Sequence, residues 1–188
     1  AFSVLNSATF EALYSAFSRM YAQRTWDAIL NAPVAIEDLV FGELVWAASK
    51  ATLSGLAILL VATLLGLVND PIALWIIPLV PLVGLTFSAL GLIVTAVARS
   101  YDFFMYYFTL FVTPMSMVSG VFFPIDQLPA ALGVIARCLP LYHAVELIRP
   151  LLLGSAPTAV AAHLAVLVAY GAIGFYAGMV LFRRRLAR

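Results

Sequence analysis

The chain has 188 residues, of which 64% are hydrophobic and 10% charged, with a mean hydropathy of +1.07 and a formal charge of +1. A soluble domain carries about 25% charged residues, so this composition excludes a water-facing globule and calls for a bilayer as solvent. Long apolar runs, rather than short alternating ones, select helices over a barrel; the expected class is all-α, a polytopic membrane helical bundle.

Ala1 to Met20 is a moderately apolar first span that contains Asn6 and Glu11. Residues 21–50 form the one long polar stretch, with Arg24, Asp27, Glu37, Asp38, Glu43 and Lys50. Within it Trp26 to Asn31 reads as a short helix stopped by Pro33, and Glu37 and Asp38 open another that runs up toward the membrane, with acids in its first turn. Ala51 to Val68 is an apolar run closed by the Asn69-Asp70-Pro71 turn. Ile72 to Ala98 is the next span, with kinks expected at Pro78 and Pro81. After a polar turn from Arg99 to Asp102, an aromatic span runs from Phe103 to Phe123.

Residues 124–154 are apolar but interrupted by Pro124, Pro129, Pro140 and Pro150. Their apolar pieces are about a dozen residues long, too short to cross. Two short helices are expected, Leu128 to Leu139 and Leu141 to Leu153, hinged at Pro140 as a re-entrant or interfacial hairpin. Thr158 to Phe182 is the last span, closed by Arg183, Arg184 and Arg185. No soluble domain and no repeat is visible.

With these five spans, Arg19, Arg24, Lys50, Arg99, Arg183, Arg184, Arg185 and Arg188 fall on one side, and Arg137 and Arg149 on the other. The positive-inside rule makes the polar loop and the C-terminus cytoplasmic and the proline-rich hairpin external. Five spans with that orientation put Ala1 outside, so a chain that begins in the cytoplasm is expected to have one further span before it, six in all.

Chemistry of its own is not expected. A phosphate-binding loop needs G-x-x-x-x-G-K-[ST], and the single lysine, Lys50, lies between Ser49 and Ala51. Any ATP-driven work falls to another polypeptide. The lone Cys138 excludes an internal disulfide and a thiolate cluster, and no metal, cofactor or nucleic acid is expected. His143 and Glu146 share a helix face without the second histidine of a metalloprotease motif. An intramembrane serine protease using Ser119 and His163 is the alternative from another class, although Met117 stands where that motif has glycine.

Other residues admit two readings each. Glu11 in a span is a substrate or proton contact, or packs against an internal polar partner. The aromatics Phe103, Phe104, Tyr106, Tyr107, Phe108 and Phe111 anchor at an interface or offer a sugar-stacking surface in a conduit. Gly174 and Gly178 allow close helix contact within the fold or between protomers. The short helix with Trp26, Ile29 and Leu30 beside Arg24 and Asp27 is a docking surface for a soluble partner, or lies flat on the membrane.

The run Ser18-Arg19-Met20, Arg24-Thr25-Trp26-Asp27-Ala28-Ile29-Leu30, Pro33-Val34 and Glu37-Asp38-Leu39-Val40 to Gly42-Glu43 resembles the cytoplasmic loop of ABC type-2 exporter permeases. Ser119-Gly120-Val121-Phe122-Phe123-Pro124, Leu128-Pro129, Pro140-Leu141 and Arg149 are similar to the external hairpin before their last span. The cytoplasmic run is most similar to the nodulation-factor (lipo-chitin oligosaccharide) exporter branch. The resemblance implies a permease in the bacterial inner membrane, paired with a second protomer, as a homodimer, around a central path. Two copies of an ATP-binding subunit would dock on coupling helices, here Arg24 to Asn31, with Arg24, Trp26, Asp27, Ile29 and Leu30 as contacts. Glu11, Tyr106, Tyr107 and Phe111 would line the substrate path, and the hairpin with Pro124, Pro129, Pro140 and Arg149 its exit. The substrate would be amphiphilic, a lipo-oligosaccharide or lipid-linked saccharide, or alternatively a drug.

Overall fold

The computed structural model describes residues 1–68, 70–122, 125–127 and 129–186. The turn at Asn69, the Phe123-Pro124 corner, Leu128 and Arg188 lie outside the described residues. Regular structure among the described residues is entirely helical.

Helix α1 (Phe2–Phe10) passes through a π turn (Glu11–Ser15) into α2 (Ala16–Tyr21), one helical path over the length expected of the first span. A π turn interrupts the regular i→i−4 ladder. Here the Thr95 hydroxyl, from a distant helix, donates to the Ala12 carbonyl inside that turn at 2.6 Å. After the short α3 (Thr25–Leu30), α4 (Ile36–Leu64) runs 29 residues without a break. The helix opened by Glu37 and Asp38 runs on into the apolar stretch from Ala51, with no proline between them. The polar stretch is therefore loop only in its first half. Gly66, at φ +71°, ends α4 in the left-handed conformation that glycine adopts freely.

The Asp70 carboxylate accepts from the Ile72 N–H at 2.9 Å and caps a 3₁₀ turn (Pro71–Trp75) leading into α5 (Ile76–Val97). Pro78 falls in the first turn of α5, and the helix continues through Pro81. Helix α6 (Asp102–Tyr107), a second π turn (Phe108–Val112) and α7 (Thr113–Val118) form the next path. It stops short of the expected Phe123, because Gly120 turns the chain at φ +80°. Helices α8 (Ala130–Cys138) and α9 (Pro140–Leu152) meet at 88°. Leu139 is extended, as a residue before proline prefers, and Pro140 opens α9, where its missing N–H costs no helical bond. Last comes α10 (Val160–Leu186), which carries Arg183, Arg184 and Arg185 in its final turn.

Contacts at the two ends show how these pieces run. At one end Arg19 meets Glu43, Trp26 meets Phe182, Arg183 meets Glu37, and Arg185 meets the last carbonyls of α5. At the other, Phe2 meets Phe122, Arg149 meets Gly120, and the side chain of Asp70 lies against Gly154. Among the described residues, the helical paths thus run between two ends; Arg19, Arg183 and Arg185 lie at the first, whereas Lys50 stands midway along α4, paired with Glu11. Among the described residues, three helices are singly long and apolar enough to cross a membrane: Ile36–Leu64, Pro71–Val97 and Val160–Leu186. The middle one is central, with 56% of its apolar window buried against 22% and 17% for the others.

Small residues allow that centrality. A Cβ on Gly174 would come within 3.2 Å of the Ala89 Cβ, and one on Gly91 within 2.8 Å of the Ala12 Cβ. Gly174 and Gly178 therefore seat α10 on α5 inside this chain. The Thr86 hydroxyl adds a bond across the same seam, to the Leu167 carbonyl at 3.1 Å.

Candidate functional site

Two polar stripes at helical spacing face each other near the basic end. Glu11, Ser15 and Arg19 lie four residues apart on the first helical path; Glu43, Trp46 and Lys50 follow i, i+3, i+7 on α4. Arg19 donates to Glu43 through Nε at 2.8 Å and Nη2 at 2.5 Å, the two-point geometry that makes such pairs strong. It also reaches Glu11 Oε1 at 3.3 Å through both terminal nitrogens. Glu11 accepts in addition from Lys50 Nζ, Trp46 Nε1 and Ser15 Oγ, each at 2.9 Å. Two carboxylates and two cations thus balance. Balance is required, since Glu11 and Glu43 are only 7% and 8% exposed.

The short α3 is tied to this cluster by one side chain. Trp26 is fully buried, its ring 5.0 Å from that of Phe182 and its Nε1 donating to Glu43 Oε1 at 3.1 Å. Ile29 and Leu30 are half-buried on the same side, while Arg24, Asp27, Ala28 and Asn31 are exposed. Spacing of three and four residues places those four on one face. Trp26 was expected as part of a docking surface; the structure makes it an internal anchor, because an indole can fill a core gap only if its N–H finds an acceptor. Arg24, just before α3, holds φ +51°, a left-handed conformation that costs a branched or bulky residue about 1 kcal/mol or more. Beside α3 a recess of about 490 Å³ is lined by Ile29, Val34, Asp38, Leu39, Gly42 and Trp46 among others.

Glu11 is therefore placed in an ion-pair cluster with internal partners. The aromatics expected with it stand elsewhere. Tyr106, Tyr107 and Phe111 line an apolar groove of about 500 Å³ against Leu90, Ile93 and Val94 of α5, and Glu11 is not part of that lining. Phe104 turns inward, packed edge-on to Phe17 at 5.2 Å.

At the opposite end Arg149 Nη2 donates to the carbonyls of Gly120 and Val121, fastening α9 to the turn after α7. Pro129 precedes α8 and Pro140 opens α9, while Pro124 lies outside the described residues. The protease alternative fails on geometry. A serine nucleophile needs its base within hydrogen-bond reach, but the Ser119 hydroxyl is buried without a partner. His163 instead faces His143, with Nδ1 atoms 2.7 Å apart. Arg19, Glu43, Trp46, Lys50 and Ser15 are the site residues that sequence reasoning missed, and the two helical stripes were the signal that could have found them.

Residues 1–153 match the family model described as ABC-2 type transporter. The chain is 46% identical over 186 residues to Nodulation protein J of Rhizobium meliloti (strain 1021), covering 99% of this chain and 71% of that one. Against Nodulation protein J of Rhizobium leguminosarum bv. viciae it is 46% identical over 188 residues, covering 100% and 73%. With that of Bradyrhizobium diazoefficiens the identity is 45% over 188 residues, covering 100% and 72%. No solved structure matches.

Proposed function

The chain belongs to the ABC-2 type transporter family, and from that premise we propose that it is the membrane-spanning permease of an ATP-driven exporter for a lipo-oligosaccharide of the nodulation-factor kind. The substrate class rests on its similarity to proteins named Nodulation protein J. A separate ATP-binding subunit energises it, two copies serving a pair of permeases, and the permease carries no catalytic residue of its own. It sits in the bacterial inner membrane, which this chain crosses five times. The α3 corner and the C-terminal end of α10 face the cytoplasm, and the α8–α9 hairpin lies at the exit.

One observation carries the mechanism: α3 has an exposed face of Arg24, Asp27, Ala28 and Asn31, and a buried face locked by Trp26 to Glu43. ATP-driven closure of the partner presses the exposed face. Glu43 is held by Arg19, and Arg19 also touches Glu11, so the push reaches α4 and the first helical path together. These helices move as rigid rods and open a path between protomers.

The test is reconstitution of full-length permease and ATP-binding subunit in inside-out vesicles with a labelled lipo-chitin oligosaccharide. Uptake should need ATP and both proteins. Asp27→Arg should leave ATP hydrolysis and membrane insertion in place while uptake falls at least tenfold. Unchanged uptake in that variant refutes the role given to α3, and ATP-dependent uptake of a hydrophobic drug in preference to the oligosaccharide refutes the substrate.

A further inference from the structure

We propose that a recess where α5 and α10 end side by side binds the phosphate of an anionic phospholipid headgroup. It has a volume of about 470 Å³; Arg99, Arg184, Arg185, Tyr21, Val97 and Leu181 line it, and no acidic residue does. Arg99 and Arg184 are exposed. The ion pairs among the described residues join Arg19 to Glu11 and Glu43, Lys50 to Glu11, and Arg183 to Glu37, so neither Arg99 nor Arg184 has an acidic partner among them.

Arg185 prepares the floor. Helix α5 ends here, and its free carbonyls would repel an anion. Arg185 Nη1 donates to two of them, those of Thr95 and Ala96, at 2.9 Å each. Its guanidinium also lies over the Tyr21 ring, 5.5 Å from the centroid. The negative helix end is thereby covered, and two unpaired guanidinium groups remain at the rim.

The wall is apolar. Val97 is exposed and Leu181 half-buried, both on helices long and apolar enough to cross a membrane. Cations at the end of a spanning helix beside apolar side chains fit a lipid whose phosphate and acyl chains share one molecule. A basic pocket between spans is a known form of headgroup site. The site favours phosphatidylglycerol or cardiolipin over phosphatidylcholine, which would bring its own cation against the arginines. The proposal requires only that α5 and α10 end at one membrane surface, and stands whether or not the chain exports anything.

The test uses the full-length permease purified with its ATP-binding subunit, and native mass spectrometry to count dioleoyl-phosphatidylglycerol retained through delipidation. Wild type should retain it and release dioleoyl-phosphatidylcholine. Arg99→Gln and Arg184→Gln should each weaken retention roughly fivefold, in line with the contribution of one basic side chain at a lipid surface. Arg99→Lys and Arg184→Lys should restore most of it, and Arg183→Gln, outside the recess, should change nothing. Equal retention by wild type and the Arg99→Gln/Arg184→Gln double variant overturns the site. Protection against thermal unfolding by inorganic phosphate but not by phosphatidylglycerol makes it a free-anion site and overturns the lipid assignment. If the double variant sheds the ATP-binding subunit and keeps the lipid, the recess belongs to that protein instead and the proposal falls.

Discussion

Glu43→Gln strikes the α3 corner at one atom. Oε1 of Glu43 accepts from both Arg19 Nε and Trp26 Nε1, and Oε2 takes Arg19 Nη2 at 2.5 Å. With the amide oxygen kept at the Oε1 position, the new NH₂ faces Nη2, donor against donor. One charge-assisted bond is lost, worth about 1.5–3 kcal/mol, and a positive charge is left uncompensated in a pocket where Glu43 is 8% exposed. Arg19 keeps its 3.3 Å contacts with Glu11 and is partly open to water, which limits the damage. A loss of about 2–3 kcal/mol is expected. Thermal unfolding of the purified complex measures it, and a double-mutant cycle with Arg19→Met isolates the pair. The coupling of ATP hydrolysis to uptake should weaken in parallel. A change below about 0.5 kcal/mol, the size of an ordinary surface substitution, together with normal coupling would refute the reasoning, since Glu43 would then be a solvated acid and no lock.

Gly174→Ile should overpack the α5–α10 seam, where a Cβ already meets Ala89 at 3.2 Å, and cost about 1–3 kcal/mol in thermal unfolding. Gly42→Ala meets nothing within 4 Å and should raise stability by about 0.5–1 kcal/mol through helix propensity. Arg24→Gly should relieve the left-handed conformation before α3 and leave the fold at least as stable, with any loss of uptake then due to the missing charge. Arg149→Met should free the turn at Gly120 and Val121, seen as faster proteolysis between α7 and α8 with the basic end unchanged.

Helix positions were legible because hydropathy and proline report them directly. Pro140 placed the α8–α9 corner, and the arginines after Phe182 marked the basic end of α10. Glu37 and Asp38 marked the start of α4, whereas its full extent was less legible, because acids and apolar residues alternate up to Lys50 before the apolar run begins. The end at Val118 was missed since Phe122 and Phe123 prolong the apolar run, whereas the chain turns on the backbone freedom of Gly120. At the candidate site, charge in the polar stretch was visible but its pairing was not. Glu11 and Lys50 are 39 positions apart, and only the packing of two helices makes them partners. Trp26 was misplaced for a related reason. Water-exposed flanks made an apolar side chain look like a docking contact, when its acceptor, Glu43, waited 17 residues on.

Coupling depends on which face of α3 meets the ATP-binding subunit. A photo-reactive phenylalanine analogue placed singly at Asp27, Ala28 and Leu30 of the full-length permease reports this in intact membranes. The exposed positions, Asp27 and Ala28, should cross-link to the ATP-binding subunit, and Leu30 should cross-link only within the permease. Cross-links to that subunit from Leu30, with none from Asp27 or Ala28, would contradict the account.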